Sequence, residues 1–223
     1  MPNQYNHQVS LIEEVSIKPA LEALKKPYRN QKANEKLLNN VINVRKHKSV
    51  SEHIVFKFDI NGISRAVLQE LARHRIASYT VESTRFCLNK ISNNYRLDFE
   101  KHINDGKDNP LDVISMYFNM NLNGKTEEQK NAMISVAINS LNNIAYLVEM
   151  GLTNDDIKPF IPEGLRTSLV WTINLRSLNN FLELRLDKNA FIEMRMFAEE
   201  IQKLAKSTEA GFLVYSIPQE WLL

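Results

Sequence analysis

Residues 53–60 read HIVFKFDI, and residues 167–174 read TSLVWTIN. Both stretches are rich in β-branched and aromatic residues, which is typical of half-buried strands. More than a hundred residues separate them, with helical patterns in the interval and after the second stretch. Strands so far apart favour an α+β or mixed α/β domain. No GxGxxG follows either strand, so nothing supports a doubly wound dinucleotide-binding fold.

The rest of the chain is mostly helical in pattern. Apolar residues at helical spacing predict helices over 19–26, 34–44, Ser64 to about Arg73, Thr126 to about Met150, Ser177 to about Arg185, and 189–206. Thr126 and Gln129 have the spacing of a capping box. We expect an early strand within 8–17, a strand end at Asn61-Gly62, a loop over 76–82, an extended segment over 83–89 (STRFCLN) and a loop over 103–110. No domain boundary is visible, so a single domain over residues 1–223 is expected.

Composition excludes several classes of protein. The 223 residues are 43% hydrophobic and 24% charged, an ordinary globular balance. No apolar run approaches the roughly 20 residues that span a bilayer, and the N-terminal sequence lacks a signal-peptide pattern. A single cysteine, Cys87, excludes an internal disulfide, so we expect a cytoplasmic protein. The net charge of +2 is too small to indicate nucleic-acid binding.

The first polar cluster is Arg73-His74-Arg75, followed by Ser83 and Arg85. Cations at the end of a helix often do no more than complement its dipole. Here hydroxyl groups and a further arginine follow within one short segment. If STRFCLN is extended, Ser83 and Arg85 point to the same side. The cluster therefore predicts an anion pocket, because the planar fork of arginine suits phosphate.

The second polar cluster is Asn174, Arg176, Asn180 and Arg185, in TINLRSLNNFLELR. Asn174 and Arg176 share a face if the strand continues to Arg176. A strand-to-helix junction with polar caps would explain this cluster alone, but two such clusters favour a site for a flat heterocycle and its phosphates. A third patch, residues 47–53 (HKSVSEH), could with His74 suggest a metal site. Its spacings match no ligand pattern, so no metal is expected.

These motifs resemble those of the flavin-dependent thymidylate synthases. Arg73-His74-Arg75, seven residues and Ser83 match the family's RHR-x7-S signature. The SxxEH segment (Ser49, Glu52, His53) and NLRSLNNFLELR resemble two further family motifs, in the same order. The resemblance implies a mostly antiparallel central sheet flanked by helices. It also implies a homotetramer, with sites shared between subunits, that methylates deoxyuridylate (dUMP). FAD is the implied cofactor, with NADPH and 5,10-methylenetetrahydrofolate as co-substrates.

The resemblance also implies a role for each site residue. Cofactor contacts are expected from Ser49, Arg73, His74, Arg75, Asn174, Arg176 and Asn180. Substrate contacts are expected from Glu70, Arg73, Glu82, Ser83, Arg85, Lys158 and Arg185. Arg185 resembles the arginine that activates the uracil ring, since a fixed guanidinium stabilises negative charge developing on the pyrimidine. Neither nucleic acid nor a membrane is an expected partner.

Several positions depart from the common family pattern and keep alternatives open. Many members have Asn-Glu where this chain has Thr80-Val81, Gln in place of Glu70, Arg in place of Lys158 and Tyr in place of Phe86. Glu82 is a candidate to replace the missing glutamate. A related pyrimidine-nucleotide hydroxymethylase is therefore one alternative, and a non-catalytic nucleic-acid-binding module is another. Cys87 is expected to be inert, as free cysteines usually are.

Overall fold

Four strands form one antiparallel sheet in this computed structural model, which describes Tyr5 and residues 7–28, 32–106 and 109–216. The strands are β1 (Gln8–Leu11), β2 (Val55–Ser64), β3 (Ala77–Val81) and β4 (Arg166–Asn174), in the spatial order β1-β2-β4-β3. Alternate side chains of β4 are buried from Thr167 to Ile173, as expected when one face of a sheet covers a core. The predicted mixed α/β fold class is confirmed.

The described helices account for most of the remaining chain. The α-helices are α1 (Lys18–Tyr28), α2 (Glu35–Asn39), α3 (Arg65–Leu71), α4 (Thr84–Asn104), α5 (Leu111–Tyr117), α6 (Glu127–Glu149), α7 (Asn154–Ile157), α8 (Leu175–Arg185) and α9 (Ile192–Lys206). A π-helical turn continues α2 over Asn40–Val44. The 3₁₀ turns are Lys48–His53, Lys158–Phe160 and Gly211–Leu213. Each predicted helix has an observed counterpart, whereas α4, with 21 residues, was not predicted.

Contacts between Cα atoms divide the chain into two compact units. The described residues of 1–8, 61–69 and 81–168 form the first unit, and those of 9–60, 70–80 and 169–216 form the second. The expected single domain over 1–223 stays a prediction.

The first unit has an apolar core between α4, α5 and α6. Its buried members are Leu88, Tyr95, Val113, Ile114, Ala137, Leu141, Ile144, Ile157 and Leu165. The capping box predicted for α6 is confirmed: the Thr126 hydroxyl accepts the Gln129 backbone N–H at 3.2 Å, and the Gln129 side chain accepts the Thr126 N–H at 3.0 Å. This reciprocal pair satisfies two N–H groups that the helix cannot bond internally.

The second unit has an aromatic core centred on Trp171 of β4. The indole ring lies 5.7 Å from the ring of Phe58 in β2 and 5.1 Å from that of Phe181 in α8, measured between centroids. Phe197 of α9 lies 6.1 Å from Phe181, so the sheet and both helices share one cluster. All four of these side chains are fully buried. Aromatic rings are the largest contributors to apolar burial, and edge-to-face pairs such as Trp171–Phe181 add to it.

The segment STRFCLN is helical, so its predicted extended structure is wrong. Ser83 occupies the N-cap position, and α4 begins at Thr84. Thr84, Leu88 and Tyr95 are buried, a helical spacing that places one face of α4 on the core. The first turn is polar and carried no clear periodicity. Ser83 and Arg85 therefore do not share the face of a strand.

Three smaller expectations were also wrong. Residues 77–81, expected as a loop, form strand β3, whose polar side chains are exposed at alternate positions. Strand β2 continues through Asn61-Gly62 to Ser64 because Gly62 adopts a left-handed φ of 82° within the strand. Strand β4 ends at Asn174, which caps α8 in place of Ser177, so Arg176 lies on a helix. The Asn174 side chain accepts the backbone N–H of Ser177 at 2.9 Å.

Gly62 lies against the guanidinium of Arg166 within the first unit. The Nε of Arg166 donates to the Gly62 carbonyl at 3.1 Å, and its Nη1 donates to the carbonyl of Ser115 at 2.7 Å. A Cβ at residue 62 would overlap the guanidinium. Both the backbone conformation and the close approach therefore require glycine at this position.

We expect Gly62→Ala to lower the free energy of unfolding by about 3 kcal/mol, because left-handed alanine costs about 1–2 kcal/mol and a disturbed charged hydrogen bond about 1.5–3 kcal/mol. Gly124→Ala is the matched control, since Gly124 has a φ of 68° and open space around its Cβ position. Gly124→Ala should lower the free energy of unfolding by only about 1–2 kcal/mol, because only the backbone conformation is strained. Urea denaturation measures both. Equal losses would show that Arg166 moves aside without cost.

Candidate active site

A cavity of about 1380 Å³ opens in the second unit, and it brings most of the predicted cofactor residues together. Four segments line it: the π-turn and the 3₁₀ turn of residues 42–52, the end of α3 with the turn that follows (70–76), helix α8 with its cap (174–185), and residues 212–216. The predicted site residues on its walls are Glu70, Arg73, His74, Arg75, Asn174, Arg176, Asn180 and Arg185. Arg73-His74-Arg75 of the first polar cluster therefore meets the second polar cluster at one cavity, whereas Ser83 and Arg85 do not line it.

The turn that carries Arg73-His74-Arg75 is fixed by aromatic residues. The hydroxyl of Tyr79 in β3 donates its one proton in a shared hydrogen bond to the carbonyls of Leu71 and His74, at 2.9 and 2.7 Å. The imidazole of His74 stands edge-on to Phe181, with 5.1 Å between ring centroids. Burial raises the pKa of Tyr79, so its hydroxyl keeps the proton that it donates. The turn is thus attached to β3 and to α8.

Arg185, the last residue of α8, points back to the end of α3. Its Nε–H donates to Nε2 of His74 at 3.2 Å, and its Nη2 donates to the Glu70 carbonyl at 3.3 Å. Its Nη1 forms an ion pair with the Glu70 carboxylate. The Arg185 side chain is 18% exposed and that of Glu70 is 37% exposed, so the pair is only partly screened by water. These contacts use three of the five N–H groups of the guanidinium.

His74 is neutral in this arrangement. Burial is the main cause that lowers its pKa from 6.5 to about 4, and the Arg185 charge lowers it further, while Glu70 acts in the opposite direction. Nε2 must lack a proton to accept the Arg185 N–H, which agrees with a neutral ring. Protonation of His74 would replace this hydrogen bond with repulsion between two cations.

A second ion pair joins α8 to the 3₁₀ turn Lys48–His53. The Nη1 of Arg176 lies 2.6 Å from the Glu52 carboxylate, and both side chains are about half exposed. Exposed pairs of this kind stabilise a fold by less than about 1 kcal/mol. Ser49 lies in the same turn but does not line the cavity, whereas Lys48, Ser51 and Glu52 do.

The walls of the cavity carry an excess of positive charge. Six basic side chains line it, against the three carboxylates Glu52, Glu70 and Glu183. Arg176 and Arg185 are paired, whereas Lys46, Lys48, Arg73 and Arg75 have no ion-pair partner among the described residues. Such a cavity attracts anions.

Several wall residues carried no signal in the sequence. Asn179 donates to the Leu213 carbonyl at 2.9 Å and accepts the Tyr215 backbone N–H at 2.7 Å, which attaches residues 213–215 to α8. Lys46 and Glu183 also line the cavity. Nothing in the sequence indicated Lys46.

The remaining predicted residues lie in the first unit. Glu82 and Ser83 connect β3 to α4, and the backbone N–H of Glu82 donates to the Ser168 carbonyl at 2.8 Å. Nε of Arg85 lies 2.9 Å from the Asp155 carboxylate of α7, and this pair is more than half exposed. Lys158 begins the 3₁₀ turn directly after α7. Arg85 and Lys158 are therefore on adjoining elements, and their roles toward substrate stay predictions.

Cys87 lies in the first turns of α4 and is partly buried. Burial is the main cause that raises the pKa of its thiol, and the neighbouring Glu82 carboxylate raises it further. A raised thiol pKa disfavours the reactive thiolate. The residue thus has the electrostatics of an unreactive cysteine.

No group of three or more His, Cys, Asp or Glu side chains is arranged to hold a metal ion among the residues that the structure describes. Within the same residues, no helix is both long and apolar enough to cross a bilayer.

We expect the stability of the protein to fall as the pH decreases from about 6.5 to 4. The folded-state pKa of His74 (about 4) lies below its unfolded value (6.5), so the unfolded chain binds more protons in this window. His74→Gln keeps an acceptor for Arg185 and should show a smaller loss. The check is the urea midpoint of both proteins at pH 7, 5.5 and 4.5. His7 has the same lowered pKa, so some pH dependence should remain. Identical pH dependence in the two proteins would contradict the prediction.

Comparison with known proteins places the chain in a family. Residues 5–208 match the family described as "Thymidylate synthase complementing protein". The flavin-dependent thymidylate synthase of Wolinella succinogenes is 34% identical over 188 residues, which cover 84% of each chain. The enzyme of the same name from Campylobacter jejuni (strain RM1221) is 38% identical over 167 residues, covering 75% of this chain and 73% of the relative.

A solved structure agrees with these relatives. The crystal structure of thymidylate synthase X from Helicobacter pylori with FAD and dUMP superposes with a TM-score of 0.75 and 27% identity, covering 93% of this chain and 96% of that one. The order of the three sequence motifs, the fold and the matched length all agree with those of these relatives. This chain belongs to the flavin-dependent thymidylate synthase family.

Proposed function

We propose that the cavity of the second unit binds FAD and dUMP, and that the chain converts dUMP to thymidylate (dTMP) by reductive methylation. 5,10-Methylenetetrahydrofolate would donate the one-carbon unit, and NADPH would reduce the flavin. The observation that carries the proposal is the position of Arg185, which three hydrogen bonds hold at the wall of a cavity rich in cations. The Helicobacter pylori relative, solved with FAD and dUMP, supports the choice of ligands.

The residues of the cavity suit a flavin dinucleotide. The volume of about 1380 Å³ exceeds the roughly 300–1,000 Å³ of ordinary small-molecule pockets, so it can accept a dinucleotide or two ligands. The four cations that lack ion-pair partners suit phosphate groups. Asn174 uses its carbonyl oxygen to cap α8, so its amide N–H groups remain for a ligand. FAD, when bound and reduced, supplies the hydride that completes the methyl group.

Arg185 is the proposed catalytic residue. Two of its N–H groups lie outside the contacts with Glu70 and His74, and they can donate to a carbonyl oxygen of the uracil ring. A fixed guanidinium stabilises the negative charge that develops on the pyrimidine during the reaction. Because His74 and Glu70 already hold the side chain, little reorganisation is needed when substrate binds.

The other residues keep the roles implied by the family resemblance. We propose cofactor contacts for Ser49, Arg73, His74, Arg75, Asn174, Arg176 and Asn180. We propose substrate contacts for Arg73, and for Glu82, Ser83, Arg85 and Lys158 of the first unit in a site shared between subunits, as the family resemblance implies. Glu70, expected to contact substrate, forms an ion pair with Arg185. Lys158 can pair with a phosphate as a point charge, although it lacks the bidentate fork of the arginine common in the family.

We also propose a homotetramer, a single folding domain over 1–223 and a cytoplasmic location. Exposed apolar side chains support association of subunits, since Phe86 is 83% exposed and Ile76 is 73% exposed. The single cysteine supports a reducing compartment.

Light scattering during gel filtration measures the number of subunits, and a monomer at working concentration would contradict the tetramer.

The first experiment on function is a visible spectrum of the purified protein, followed by titration with dUMP. We expect flavin bands that shift as dUMP is added, because both ligands share one site. Turnover with 5,10-methylenetetrahydrofolate and NADPH should then yield dTMP. Hydroxymethyl-dUMP as the product would favour the hydroxymethylase instead. A colourless protein that takes up no FAD, yet binds DNA or RNA with strong salt dependence, would favour the nucleic-acid-binding module.

We expect Arg185→Ala to lower kcat/KM for dUMP by about 100- to 1,000-fold, the usual effect of removing one donor that stabilises transition-state charge. FAD content and the circular dichroism spectrum should stay unchanged. Arg96→Ala is the matched control, because Arg96 forms an exposed ion pair with Glu149 in the first unit. Full activity in the Arg185 variant would refute its assigned role.

A further inference from the structure

The Glu70 carboxylate is directed at Arg185 and not at an unpaired cation of the cavity. Glu70 is the sixth residue of α3, and Arg185 is the last residue of α8, so 115 positions separate the two in sequence. Side-chain and backbone oxygens of Glu70 both accept N–H groups of this one guanidinium. The imidazole of His74 accepts a third. The end of α3 and the turn after it therefore hold the Arg185 guanidinium through three acceptor atoms.

The charge of Glu70 disfavours direct contact with a phosphate. A carboxylate repels an anionic ligand, whereas four cations with no described ion-pair partner line the same cavity. The ion pair with Arg185 offsets the negative charge of Glu70 at a partly buried position. It also fixes a long side chain that otherwise has several rotamers. Both effects act on Arg185 and not on a ligand.

We propose that Glu70 is a positioning residue, which acts on dUMP through Arg185; this inference rests on the proposed function. The carboxylate holds the guanidinium in one orientation, which leaves two N–H groups for the pyrimidine. The amide common at this position in the family offers the same acceptor oxygen without the charge. Glu70 thus sets the orientation of the Arg185 guanidinium, and the atoms of Glu70 need not touch the substrate.

A double-mutant cycle tests this mechanism, using Glu70→Ala, Arg185→Ala and the double variant. Flavin-band titration gives the Kd for dUMP, and dTMP formation gives kcat and KM. We expect Glu70→Ala to lower kcat about 10-fold, less than loss of Arg185 itself, because His74 and the residue 70 carbonyl still hold the guanidinium. When Arg185 is already alanine, Glu70→Ala should cause no further loss of kcat. FAD content should remain that of the wild type.

Glu70→Gln supplies the conservative comparison. Its amide oxygen can still accept the Nη1–H of Arg185, so we expect kcat to stay within about threefold of the wild type. Should Glu70→Ala not fold, Glu70→Met removes the acceptor while keeping a side chain of similar length. Glu13→Ala is the matched control, since it removes a carboxylate that forms an ion pair with Lys57 in the second unit, outside the cavity.

Additive losses in the double variant would overturn the proposal, because they would mean that Glu70 acts on the ligand independently of Arg185. So would an equal loss of kcat in the Glu13 control, which would mean that the loss of any ion-paired carboxylate lowers the activity. A wild-type protein that binds neither FAD nor dUMP would instead overturn the proposed function and this inference with it. A wild type that binds both, with additive variants, would overturn the inference alone.

Discussion

The indole ring of Trp171 is the contact on which the second unit depends. It packs against Phe58 of β2, Tyr79 of β3, Phe181 of α8 and Phe197 of α9, so one side chain joins three strands and two helices. Its own side chain is fully buried. Because interiors are close-packed, a smaller residue here would leave a cavity that none of these elements could fill alone.

The aromatic core extends directly into the candidate active site. Tyr79 packs on Trp171 with its ring and holds the carbonyls of Leu71 and His74 with its hydroxyl. Phe181 packs on Trp171 and also meets the ring of His74. The turn with Arg73-His74-Arg75 is thus supported by aromatic rings on two sides. A site supported in this way keeps its geometry when charged ligands arrive.

The unpaired positive charges of the cavity lower the stability of the fold when no ligand is bound. Like charges around the cavity repel each other, and only Arg176 and Arg185 have carboxylate partners among the described wall residues. A cavity that must bind anions needs cations that no internal carboxylate neutralises. Sites of this kind commonly lower stability in exchange for function. The neutral His74 fits the same arrangement, since it adds a hydrogen bond without adding a charge.

The sequence by itself determined the family, the mixed α/β class, strands β2 and β4, and the start of α6, because these depend on local patterns or on motif spacing. It did not indicate β3 or α4, since the polar residues around Ser83 have no clear periodicity. Pairing with β4 decides the structure of β3, and burial against the core of the first unit decides that of α4. Nor could it indicate that Glu70 faces Arg185 across 115 positions, or that Asn179 holds residues 213–215. Such contacts form between side chains that only the packed core brings within hydrogen-bonding distance, so the tertiary structure alone decided them.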